Sequence, residues 1–151
     1  MNGSDITRLL ERYNLLGFKG VWTINAVPDL SEGEFAIYNL SEDEPGTHWA
    51  YICCRQETSS NKHYEVFDSL GAKYSDIKKL CGNINSYVCY NVNRVQPKSS
   101  DKCGLYVCLF SIILSENEDL DYFDIMQLAF SDNFEENDRR VVSFFMNQTD
   151  Y

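Results

Sequence analysis

Four side chains in this sequence could cooperate in one reaction: His48, Asp68, Gln96 and Cys103. A deprotonated thiol is a strong nucleophile. Cys103 stands where a polar loop, residues 96–102, runs into an apolar stretch that continues from Gly104 through Phe110. If that stretch is a helix, the thiol lies at its mouth, where unpaired N–H groups and the helix dipole favour an anion. Gly104 would leave room for a substrate to approach. A nucleophilic cysteine needs a base, and imidazole has a suitable pKa. His48 sits between an acidic turn and an apolar strand, and Asp68 closes another short apolar run. A carboxylate there could orient the ring and stabilise imidazolium. Gln96 lies seven residues before Cys103. Its amide could donate to the oxyanion of a tetrahedral intermediate, beside the Cys103 N–H.

Each of these residues also has a plainer reading. Cys103 could be a core thiol, as Cys81 and Cys108 are expected to be. A single histidine is often structural, and His63 starts a strand beside a polar turn, where a surface role suits it. Asp68 could simply open a turn. Glu65 competes with Asp68 for the histidine, but the strand alternation sends the two to opposite faces. The six cysteines, at 53, 54, 81, 89, 103 and 108, form no CxxC pair and have only two histidines for company, which makes zinc a poor fit.

The elements that must position these residues can be read from periodicity. Ser4 is expected to cap a helix over residues 5–16, stopped by Gly17, with Ile6, Leu9, Leu10, Tyr13 and Leu16 on its apolar face. Residues 21–25 and 34–40 read as extended. An acidic turn at 41–46 precedes a strand from His48 to Cys54. A polar connection at 56–62 leads to a strand ending at Asp68. Antiparallel pairing of these two strands would bring Asp68 beside His48. Ser75 is expected to cap a short helix ending near Gly82, followed by a strand at 87–92. Residues 103–114 are apolar nearly all round and suit a buried helix. Two more helices are expected at about 121–130 and 137–147. The class is α+β, a single domain over residues 1–151, with a mixed or antiparallel central sheet and surrounding helices.

The totals narrow the options. A chain of 151 residues can bury one real core. Its start lacks the basic and apolar regions of a signal peptide, and no run is long enough for a membrane span, so the expectation is an intracellular protein with reduced thiols and no secretion. The formal charge of −10 argues against nucleic-acid binding through a broad basic surface.

Taken together, Gly46-Thr47-His48-Trp49, then Asp68, then Gln96 and Cys103-Gly104, resemble the adenovirus-type (adenain) cysteine proteases, whose relatives occur in polintons and virophages. The order His, acid, Gln, Cys is shared with the related SUMO-type proteases. The compact chain, the approach to His48 and the seven-residue Gln-to-Cys step favour the viral branch. The resemblance runs from the first helix to the helix after Cys103 and weakens beyond about residue 115.

This resemblance implies a papain-like, adenain-type fold. It makes Cys103 the nucleophile, His48 the general base and acid, Asp68 the orienting acid and Gln96 an oxyanion-hole donor. Trp49 and Gly104 would line the substrate cleft. It further implies a thiol endopeptidase that cleaves capsid or other virion precursors at glycine-containing sites, in the virion and in the host-cell interior (viral factory or nucleus), with no metal or other cofactor. Two family traits are not matched. A DNA cofactor sits badly with a charge of −10, and neither Cys81 nor Cys89 has the spacing of the cysteine that links to an activating peptide. Three rival functions remain: a deconjugating protease for ubiquitin-like modifiers, an acyltransferase on the same scaffold, and a non-enzymatic interaction domain with Cys103 in its core.

Overall fold

A computed structural model describes residues 1–40, 48–81 and 86–146. The expected acidic turn at 41–46, Gly46 and Thr47 before the histidine, the helix end near Gly82 and residue 147 lie outside the described residues.

The core of the fold is a five-stranded mixed sheet in the order β1-β2-β3-β4-β5, which is also chain order. The strands are β1 Phe18–Thr23, β2 Phe35–Asn39, β3 Trp49–Glu57, β4 Lys62–Phe67 and β5 Ser86–Tyr90. β2, β3 and β4 form the expected antiparallel meander. The outer strands β1 and β5 pair parallel to their neighbours. Parallel pairing needs a crossover. A 3₁₀ turn, Ile24–Ala26, lies in the first crossover and helix α2, Tyr74–Cys81, in the second.

Both faces of the sheet are covered. Phe35, Ile37, Trp49, Tyr51, Cys53 and Phe67 point to one side and pack on helix α3, Cys103–Glu116, as well as α1 Gly3–Arg12, α4 Tyr122–Ala129 and α5 Phe134–Met146. The residues between them, including Ala36, Tyr38, Ala50, Ile52 and Val66, face Ile77 and Cys81 of α2. This two-sided burial explains why β2 is apolar at nearly every position. α3 is the central helix of the larger core. Phe110 stacks on Phe67 at 4.5 Å, and Phe67 on Phe130 at 5.3 Å. Helix α3 is apolar all round because other elements surround it.

Several local expectations are corrected, among them Ser75 as a cap, since α2 already starts at Tyr74. Asn2, not Ser4, caps α1: its side chain accepts from the Asp5 N–H, and the Asp5 carboxylate accepts from the Asn2 N–H, closing a capping box. α1 ends at Arg12 rather than near residue 16, because Asn14 turns to φ 51° and starts the return to β1. Gly17 belongs to that turn, at φ +83°, where a Cβ would lie 2.0 Å from the Gly33 carbonyl oxygen. The polar stretch at 56–62 is shorter as a loop than expected, because β3 continues to Glu57 and β4 starts at Lys62. Among the described residues, no helix is long and apolar enough to cross a membrane.

Candidate active site

The site lies where three elements end. His48 immediately precedes β3, and Asp68 immediately follows β4. Tyr51 pairs with Phe67 in the antiparallel register, so the start of β3 adjoins the end of β4. Residues 20 positions apart in the chain are thereby joined: His48 Nε2 is 2.6 Å from Asp68 Oδ1. Cys103 opens α3, and its side chain is hydrogen-bonded to His48. With Nε2 facing the carboxylate, Nδ1 is the ring nitrogen left for the sulfur. The three residues form a continuous chain, Cys103–His48–Asp68. His48 is only partly exposed, and Asp68 and Cys103 are buried.

The electrostatics of the thiol set it apart. Burial pushes the Cys103 pKa up, but the hydrogen bond to His48, N–H donors of Trp49 and Gly104, and the charge of His48 outweigh it and hold the value below that of an ordinary thiol. Each of the other five cysteines is shifted the opposite way. Burial lifts Cys53 and Cys108 to about 12 and Cys81 to about 11, and it raises Cys54 and Cys89 as well. All six are free thiols. For His48, burial pulls the pKa down, yet the bonds to Asp68 and Cys103 and the charges of both carry it up to about 9. The two shifts run in opposite directions, and both favour the charged pair, thiolate beside imidazolium.

Asp68 is itself held in place. Its Oδ1 also accepts the Leu70 N–H at 2.9 Å. Its backbone N–H donates to Asn91 Oδ1 at 3.1 Å, and its carbonyl accepts from Asn91 Nδ2 at 2.6 Å. Asn91, one residue beyond β5, thus stands in for a further pair of ladder bonds. Tyr122 of α4 donates its hydroxyl to the Val66 carbonyl at 2.8 Å and to Asn91 Oδ1 at 3.2 Å. Glu65, the competing acid, is buried on the other face of β4, where Arg55 Nε lies 3.1 Å from its Oε1. Burial lifts its pKa to about 7 against the pull of Arg55. His63 lies 3.8 Å from the same carboxylate and 3.6 Å from Cys89, away from the Cys103 chain.

Gln96 is fully buried. Its Oε1 accepts from the Ser69 hydroxyl at 2.5 Å, and its Nε2 donates to the Ser100 carbonyl at 2.8 Å. One amide N–H is left over from these bonds. The loop that follows and the first turn of α3 are tied to α5: the Ser100 hydroxyl and the Tyr106 hydroxyl both donate to Asp138 Oδ1, at 3.0 and 2.7 Å. Trp49 is buried, and its ring N–H donates to the Met1 carbonyl at 3.1 Å. Gly104 lies under the same residue. A Cβ there would come within 2.9 Å of Met1 Sδ.

The sequence reading did not single out Asn91, Ser69, Tyr122 or Met1. No protein-family model matches the chain, and no curated protein matches it.

Proposed function

We propose that this chain is a virus-encoded cysteine endopeptidase of the adenovirus-protease type, with a papain-like arrangement of helix and sheet, that cleaves virion precursor polypeptides at glycine-containing sites. The observation that carries the reading is the Cys103–His48–Asp68 chain, with Cys103 the one thiol of six shifted toward the thiolate. Burial holds three other thiols at about 11 to 12, where little thiolate forms at neutral pH, so the contrast is within one molecule.

The chemistry is acyl transfer. The Cys103 sulfur adds to the peptide carbonyl carbon, and the carbonyl electron pair moves to oxygen. The Cys103 N–H and the free N–H of Gln96 receive that charge. The His48 imidazolium gives its proton to the amine as the C–N bond breaks, leaving a thioester. Water then attacks the thioester while His48 takes its proton, and the C–S bond breaks to restore the thiolate. Asp68 keeps the ring oriented and stabilises its charged form. The resemblance assigns Trp49 and Gly104 to the substrate cleft, and both lie against Met1. The virion and the host-cell interior are the places where such precursors meet the enzyme. The acidic charge speaks against a DNA requirement.

The test is co-expression of the chain, or of Cys103→Ala, with the structural proteins encoded beside its gene. Processing that needs Cys103 is the expected result, and identical processing in both overturns the reading. A ubiquitin-like probe with a C-terminal electrophile separates the rival: fast, Cys103-dependent labelling would move the substrate class to modifier tails.

A further inference from the structure

The turn that carries Asp68 also holds Gln96. Ser69 is fully buried, and it meets the glutamine loop through three bonds. Its carbonyl accepts the N–H groups of Val95 at 2.9 Å and Gln96 at 3.1 Å. Its hydroxyl donates to Gln96 Oε1. On the other side of the amide, Nε2 donates to the Ser100 carbonyl at 2.8 Å.

We infer that Ser69 is a positioning residue for the reaction, one that acts through Gln96 by supplying the buried donor that holds its amide oxygen, while the Ser100 carbonyl selects which way the amide faces. The inference rests on the peptidase reading above. The two ends of a glutamine amide have nearly the same shape and differ in hydrogen-bonding character. Half a turn about the last side-chain bond exchanges them. In the observed orientation both ends are satisfied: the oxygen has the Ser69 proton, and the nitrogen has the Ser100 carbonyl. After the half turn, Oε1 would face the Ser100 carbonyl oxygen, two acceptors with no proton between them. Ser100 alone therefore disfavours the turned state. It does not hold the oxygen end, which in a fully buried site must find a donor or lose the energy of one. Ser69 supplies that donor. With one N–H committed to Ser100, the second N–H points in one direction only, and a pre-aimed donor is worth most where charge develops.

The same tetrapeptide turn thus serves both halves of the catalytic task. Asp68 N–H and C=O are clamped by Asn91, Asp68 Oδ1 accepts from Leu70, and the Gly71 N–H returns to the Asp68 carbonyl at 2.9 Å. The next residue along, Ser69, fixes the amide. Any shift of this turn moves the acid and the oxyanion donor together.

The test uses the full chain and a fluorogenic peptide amide ending in Gly-Gly. Ser69→Ala is expected to lower kcat by about 10²-fold with KM unchanged, the loss typical of one oxyanion donor. Iodoacetamide alkylation of Cys103, which forms no oxyanion, is expected to keep its rate and its pH profile. The double variant Ser69→Ala/Gln96→Ala should be no slower than Gln96→Ala alone. Should the alanine variant not fold, Ser69→Cys, with its weak S–H donor, is expected to give an intermediate kcat. Turnover by the wild type but not by Cys103→Ala, together with a wild-type kcat in the Ser69 variants, would overturn this inference and leave the peptidase reading standing. Absence of turnover in the wild type would overturn both. A parallel loss of alkylation rate in Ser69→Ala would assign Ser69 to general structure instead.

Discussion

His48 holds two neighbours at once, and its protonation controls both. With its pKa carried up to about 9 and that of Cys103 held down, activity is expected to rise as pH climbs through the thiol value and to fall as it passes about 9. The rate of iodoacetamide alkylation against pH checks the first limb, and peptide turnover checks the second. Stability follows the same sign. A histidine whose folded value exceeds its unfolded one stabilises the fold fully below about 6.5 and loses that contribution as pH rises through about 9. Melting curves of wild type and His48→Ala should therefore converge above that range. Asn91 is the second residue to test. Its removal strands the Asp68 N–H, and Asn91→Ala should cost about 1–3 kcal/mol in denaturant unfolding and slow Cys103 alkylation at neutral pH.

At the scale of elements, the decisive piece is the turn between β4 and the return to β5. Gly71 sits at φ +92°, and a Cβ would lie 2.6 Å from the Val92 carbonyl oxygen. Gly71→Ala should cost at least about 1–3 kcal/mol and depress kcat beyond what the lower melting point explains, since Asp68 and Ser69 lie on the same turn. The β3–β4 hairpin was legible in the sequence because two alternating runs flank a polar break, and its antiparallel sense alone delivers Asp68 to His48. The buried α3 was legible from its unbroken apolar run. The parallel sense of β1 and β5 was not: strands with partly exposed faces can pair either way, and the choice falls to their crossovers. Ser69 and Asn91 were illegible for a related reason. Each works on backbone groups or a side chain more than 20 positions away, and nothing local to either residue announces it.

For the whole molecule, the larger core is tied together by aromatic rings around α3. Phe110 is fully buried and touches Phe67, Tyr51 and Tyr122 rings at 4.5, 5.0 and 6.0 Å. Phe110→Ala should cost about 3–5 kcal/mol in equilibrium unfolding, and it should loosen the helix that presents Cys103. The charge of −10 adds a uniform self-repulsion, so moderate salt should raise the melting temperature.

The placement of Cys103 at the head of this interior helix has a consequence for biosynthesis. The thiol owes its lowered pKa largely to a ring 55 positions earlier, and the two meet only when α3 is seated on the sheet. The contacts that seat it are non-local, which slows folding as a whole. A ribosome-bound chain that has emerged only as far as the turn after β4 contains the histidine and its acid but no partner thiol. If the proposed reaction is right, peptide turnover is expected to appear in refolding experiments only together with the native α3 contacts, not before them.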